Sequence, residues 1–218
     1  MLESRPIAVY GAGGFAREVA WLITVARADP PYRMVGYVDE SPGTELLNGQ
    51  PILASGTIKE RFPGCAVAVA VGDPGLREKL AKQAGEEGFR FPTLCHRTVE
   101  MSASVSLGEG TIICAGSILT VDIQVGRHVH VNLDCTIGHD VRIGDFTTLS
   151  PGVHVSGNVH IGRGVYIGTG AVVINGTIKE PLVIQDRCVI AAGACITKST
   201  VGPGLYAGVP AMLKKSYS

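Results

Sequence analysis

Hydrophobic positions follow two different rhythms along this chain. From Ile113 onward every sixth residue is aliphatic: Leu119, Val125, Val131, Ile137, Ile143, Leu149, Val155, Ile161, Ile167 and Val173. The frame resumes at Ile184, Ile190 and Ile196 after an insertion around NGTIKEPL, and Leu107-Gly108 starts it one step earlier. The next residue is often glycine (Gly126, Gly138, Gly144, Gly162, Gly168), and the fourth after the aliphatic one is often small or β-branched. A period of six is neither the 3.6 of a helix nor the 2 of a lone strand. It predicts a hexapeptide β-helix, in which short strands and turns alternate and three sides close each coil. The aliphatic side chain fills the prism, the small one sits beside it, and glycine permits the turn.

Before residue 95 the pattern alternates between strand and helix. Ile7–Tyr10 is a short apolar run, followed by glycines and then by FAREVAWLITVA, whose Val19, Leu22, Ile23 and Ala26 share one helical face. Met34–Val38 reads as a second strand. The run CAVAVAV, from Cys65 to Val71, is apolar throughout, as in a strand buried on both faces of a parallel sheet. After Gly72-Asp73-Pro74, LREKLAKQAGEEG reads as a helix with proline near its start and glycine at its end. These elements predict a small parallel α/β sheet covered by helices, a Rossmann-like half-domain.

Composition sharpens the division. Valine and isoleucine number 12 in residues 1–98 and 29 in residues 99–201, where the only aromatics are Phe146 and Tyr166. A narrow prism has room for Val, Ile and Ala but not for rings. The boundary is therefore expected near residue 95, with an α/β domain over 1–95 and an all-β prism over 96–218. The 19 basic and 19 acidic residues balance to zero net charge, which argues against nucleic acid or an anionic membrane surface as the main partner. No apolar stretch approaches a membrane span and the first residues lack a signal-peptide layout, so a cytoplasmic location is expected. Six cysteines without C-x-x-C spacing read as small buried thiols.

The segments YGAGGFAREV, VAVAVGD, TLCHRTVEMSASV, IGHDVRIGDFTTLSPGVHVSGNVHIG and YAGVPA together resemble the bacterial nucleotide-sugar acetyltransferases of the hexapeptide-repeat superfamily. That family includes N-acetyltransferases for UDP-4-amino-sugars and GDP-perosamine, and relatives that O-acetylate sialic acid. The resemblance spans nearly the whole chain. It implies a left-handed parallel β-helix, opposite to the usual crossover hand. It also implies a homotrimer with sites shared between prisms, acetyl-CoA as cosubstrate, a nucleotide-linked amino sugar as acceptor and no metal.

Within that resemblance His139 is the expected general base. An amine attacks a thioester only when neutral, and an imidazole takes up its proton near neutral pH. Asp140 follows directly and can stabilise the imidazolium. His139 is off the interior register, so its ring should point outward. The family places an asparagine at Asn132 to arrange amine and base, although an Asn in an inner ladder reads equally well. Gly157 can offer a backbone N–H to the developing oxyanion, or serve only its turn. Where the bacillosamine-type enzyme has a second histidine, nine residues after the base, this chain has Thr148, whose hydroxyl can still donate one hydrogen bond to the acetyl group. Backbone groups at Thr169 and Ala192 map to the pantetheine groove, and Lys214 and Lys215 either face the coenzyme's phosphates or form a solvated tail.

The N-terminal G-A-G-G-F-A has the G-x-G-x-x-A form of a dinucleotide fingerprint, a glycine turn that lets phosphate or ribose approach the N–H groups of a helix start. The family uses this turn for a nucleotide sugar. Gly13, Gly14 and Phe15 would lie at the turn, Asp39 and Glu40 near ribose or base, and Gly72 after the buried strand. Three other functions stay in view. Sugar O-acetylation differs only in its acceptor. A zinc γ-type carbonic anhydrase uses the same prism but needs histidines five apart, which His139, His154 and His160 do not supply. A non-catalytic scaffold leaves the G-H-D motif without a purpose.

Overall fold

A computed structural model of the protein describes residues 4–40 and 44–217. The chain divides into two compact units, Met1–Arg97 and Thr98–Ser218, where the composition step places the junction at 95/96.

The first unit contains β1 (Arg5–Tyr10), α1 (Gly14–Val25), β2 (Tyr32–Val38), β3 (Leu46–Leu47), β4 (Gln50–Leu53), α2 (Ser55–Arg61), β5 (Ala66–Val69) and α3 (Pro74–Glu86). Its sheet has the order β3-β4-β2-β1-β5. The strands β1, β2, β4 and β5 pair in parallel, but β3 runs antiparallel to β4. The expectation of an all-parallel sheet is therefore corrected at its edge. Asn48 and Gly49, at φ 49 and 74, form the two-residue turn that joins this hairpin, and both residue types adopt positive φ readily. Helix α2, seven residues long, is too short to announce itself by periodicity. Helix α1 buries Ala16, Val19, Leu22 and Ile23 and stops at Val25, with Ala26 already extended. Helix α3 starts as expected, with Pro74 in its first turn and the Asp73 side chain accepting from Leu76 N–H at 2.7 Å.

The second unit is a left-handed parallel β-helix. Strands 18 residues apart pair in parallel, as Ile118 with Thr136 and Arg142 with His160, so each coil takes three hexapeptides. A first side includes Ile112–Ile113, His130–Val131, Thr148–Leu149, Tyr166–Ile167 and Val189–Ile190. A second includes Ile118–Leu119, Thr136–Ile137, His154–Val155, Val172–Val173 and Cys195–Ile196. A third includes Gln124–Val125, Arg142–Ile143, Val159–Ile161 and Leu182–Ile184. All eleven aliphatic residues of the six-residue frame are at most 5% exposed, and the small positions Val129, Cys135, Val141, Thr147, Val153, Val159, Val165 and Ala171 are fully buried. Buried Thr147 remains tolerable because its hydroxyl donates to the Gly162 carbonyl at 2.8 Å.

Successive coils approach so closely at the corners that a Cβ on Gly144 would lie 2.6 Å from the backbone nitrogen of Arg163. Where glycine follows the aliphatic position it therefore answers to coil stacking and not, as expected, to the turn, whose positive φ falls two residues later at His128, Asp140, Phe146, Gly164 and Gly170. The insertion predicted at NGTIKEPL leaves the corner between second and third sides as a loop between Val173 and Leu182, and the coil then resumes.

Candidate active site

His139 and Asp140 stand at the corner where the second side turns into the third. Asp140 adopts a left-handed conformation (φ 57), one that aspartate tolerates. His139 Nδ1 and Asp140 Oδ2 lie 2.8 Å apart, and about half of each side chain is exposed. When Nδ1–H donates to the carboxylate, Nε2 carries the imidazole lone pair and can accept a proton. The third residue at this corner is Gly157, one coil further on, directly beneath the ring: a Cβ there would lie 2.5 Å from Nε2.

Beside Asp140 opens a cavity of about 360 Å³, lined by Asp122, Gln124, Arg142, Asn158, His160 and, from the insertion, Ile178 and Pro181. Burial and the neighbouring Arg142 push His160 below the ordinary imidazole range, favouring its neutral form. The sequence reading missed this wall. Its signal lay in the outward register, where Gln124, Arg142 and His160 recur at 18-residue spacing.

Other expected residues lie elsewhere on the prism. Asn132 sits at the corner between first and second sides, where its Oδ1 accepts from Leu133 N–H at 3.0 Å. Thr169 and Ala192 occupy the same edge further along, and Gly193 N–H donates to the Thr169 carbonyl at 2.9 Å. Thr148 is buried on the first side, in register between His130 and Tyr166. Within one chain, then, the second side separates His139 from Asn132, Thr169 and Ala192. Among the remaining histidines, His128 stacks on Phe146 with centroids 5.1 Å apart, and His154 Nδ1 lies 2.8 Å from Thr136 Oγ1.

In the first unit the connection from β1 leads to β2 on one side, while β5 joins on the other. The ends of β1 and β5 therefore flank the position where strand order reverses, the usual ligand crevice of such sheets. Gly11 (φ 111) is required there by conformation. Gly13 and Gly72 are not: a Cβ on either would meet nothing within 4 Å, and on Gly14 only the end of Arg17 at 3.9 Å. Phe15, in the first turn of α1, is partly buried. Arg77, fully buried, donates to the carbonyls of Val71 at 2.7 Å and Gly72 at 3.2 Å, and burial pulls its guanidinium down to about 9. This anchors the turn after β5. Asp39, partly buried, follows β2. The Glu40 carboxylate accepts from Ser55 N–H at 3.0 Å and from Tyr10 O–H at 3.3 Å, so part of its capacity serves the start of α2. Burial, with Glu40 alongside, pushes the Tyr10 hydroxyl up to about 12.

Among the described residues no three His, Cys, Asp or Glu side chains converge as a metal site, and no helix is long and apolar enough to cross a membrane.

Residues 6–84 match the PglD N-terminal domain, and residues 134–175 match the bacterial transferase hexapeptide (six repeats). The chain is 28% identical over 204 residues to GDP-perosamine N-acetyltransferase of Escherichia coli O157:H7, spanning 92% of this chain and 81% of that protein. The structure of WeeI from Acinetobacter baumannii AYE superposes with a TM-score of 0.89 at 33% identity, covering 96% of this chain and all of the other. PerB from Caulobacter crescentus, solved in complex with CoA and GDP-perosamine, superposes with a TM-score of 0.85 at 27% identity over 98% of both chains. Fold and corner geometry thus define a hexapeptide-repeat transferase. Within that class the chain belongs to the bacterial nucleotide-sugar acetyltransferases that join a PglD N-terminal domain to a left-handed β-helix.

Proposed function

We propose that this protein transfers the acetyl group of acetyl-CoA to the amino group of a nucleotide-linked sugar, with His139 as general base, in the cytoplasmic synthesis of a bacterial surface glycan. The observation that carries this reading is the His139–Asp140 pair, which leaves Nε2 as proton acceptor on an exposed corner. The neutral amine attacks the thioester carbonyl carbon, the amide C–N bond forms and the C–S bond breaks. Nε2 takes the proton lost by the amine and returns it to the departing thiolate sulfur. Asp140 stabilises the imidazolium between these steps. The Escherichia coli relative is a GDP-perosamine N-acetyltransferase, which favours nitrogen over hydroxyl acetylation.

In this reading Gly13, Gly14, Phe15, Asp39, Glu40 and Gly72 hold the nucleotide sugar, while Thr148, Gly157, Thr169 and Ala192 serve acetyl-CoA, and Asn132 helps to arrange the amine. Because the second side separates His139 from Asn132, Thr169 and Ala192, a complete site takes its base from one prism and its coenzyme groove from the next, as in a homotrimer. His139→Ala should lower kcat at least about a hundredfold, the usual size of a general-base contribution. The assay follows thiol release with GDP-, UDP- and dTDP-linked amino sugars beside their hydroxyl counterparts. Near-wild-type turnover of the variant removes His139 as base, and a preference for the hydroxyl acceptor removes N-acetylation.

A further inference from the structure

His139 lies across the coil that follows its own. A Cβ built on Gly157 would stand 2.5 Å from both Cε1 and Nε2 of the ring and 2.9 Å from Cδ2. Non-bonded carbons rest roughly 3.5–4.0 Å apart, so the imidazole occupies the space that a side chain at 157 would need. Conformation does not demand glycine there, since its φ lies outside the left-handed region. Gly157 is buried while the histidine above it is exposed.

The backbone beneath the ring is fixed from both neighbouring coils. Asn158 N–H donates to the His139 carbonyl at 2.9 Å, and Gly176 N–H donates to the Gly157 carbonyl at 3.1 Å. The same preceding coil passes close at Gly138, where a Cβ would lie only 2.8 Å from Gly157 N. The ring, at the exposed end of one side chain and bonded to Asp140, is the part that yields.

We propose that Gly157 is a positioning residue for His139: its missing side chain forms a flat seat on which the imidazole rests, and seat and Asp140 carboxylate together set where Nε2 stands. This deepens the reading of His139 as base and rests on it. It also differs from a role through the Gly157 N–H, because alanine keeps that N–H and removes only the seat.

The test compares Gly157→Ala, His139→Ala and the double variant of the full chain, with acetyl-CoA and a nucleotide-linked 4-amino sugar as substrates. Gly157→Ala should lower kcat about tenfold or more, since ångström-scale misplacement of a reacting group has effects of up to about a hundredfold. Because alanine keeps the Gly157 N–H assigned to acetyl-CoA, the loss should fall mainly on kcat and exceed any change in the KM for acetyl-CoA. In the His139→Ala background the same change should have no further effect on rate, as for residues acting through one another. Wild-type turnover by Gly157→Ala overturns the inference, and so does an equal loss in both backgrounds. If Gly157→Ala lowers the unfolding midpoint, removing the ring in the double variant should restore it; an equally unstable double variant also overturns the seat. Wild-type turnover by His139→Ala alone instead overturns the base assignment, so the two failures are distinguishable.

Discussion

Glycines of this protein answer to three different demands, and φ with the space around each tells them apart. Gly144 is needed because a coil passes too close, and Gly11 because of its φ. Gly13 and Gly72 face open space at the ends of β1 and β5, with no conformational requirement, so in the proposed function the nucleotide sugar takes up that space. Gly13→Ala and Gly72→Ala should therefore leave the unfolding midpoint within about 2 °C of wild type, as for neutral surface changes. The KM for the nucleotide sugar should rise about tenfold, the loss expected when about 1.4 kcal/mol of binding is removed. Unchanged kinetics would show that these glycines touch no ligand. Much of this scale was legible beforehand. The His139–Asp140 pair could be read because its members are adjacent, whereas the contact of His139 with Gly157 appears only once the 18-residue coil is counted. The Glu40 bonds to Tyr10 and Ser55 link three separate segments, and no local pattern reports them.

Coils are held to one another by more than their apolar interior. Asp145 accepts from Arg127 N–H at 2.8 Å through Oδ1, and its Oδ2 contacts the guanidinium of Arg127 at 3.1 Å and that of Arg163 at 3.3 Å, bridging three successive coils. Burial alone would raise this carboxyl, but the hydrogen bonds and charges of Arg127, with Arg163, outweigh it and hold it below its ordinary value of 3.8. A carboxylate depressed in the folded state stabilises above its unfolded pKa, and that stabilisation is lost as pH falls through the folded value. Asp145→Asn should therefore unfold more easily than wild type at pH 7, and the gap should close progressively below about pH 4. Thermal unfolding across roughly pH 2–7, the range of carboxylate titration, measures it; a gap constant with pH would remove the staple. Among elements, the prism strands were legible because one interior admits one class of side chain. The β3–β4 hairpin was missed although Asn48-Gly49 is a strong turn signal, because its strands are too short to alternate visibly.

At the scale of the whole molecule, the expected site residues of one chain stand on opposite edges of the second side. A shared site predicts complementation. His139→Ala and Thr169→Trp chains, each inactive alone, should recover about a quarter of wild-type activity when unfolded and reassembled together, the share of interfaces that pair two intact edges by chance in a cyclic trimer. Sedimentation should give a mass about three times that of the chain for the same closed symmetry. No recovery on mixing would place the whole site within one chain.

The sequence by itself determined the prism, its 18-residue coil, the α/β unit before it and the His–Asp pair, because each follows from spacing along the chain or from direct adjacency. Tertiary structure alone decided what meets across coils and between segments. It placed the imidazole over Gly157, set the cavity wall of Arg142, His160 and Ile178, buried Arg77 beneath the Gly72 turn and turned β3 antiparallel at the sheet edge. Those contacts depend on distances between backbones that pack at van der Waals range. Spacing names which residues can be neighbours, and only packing fixes which side chain yields the space to the other.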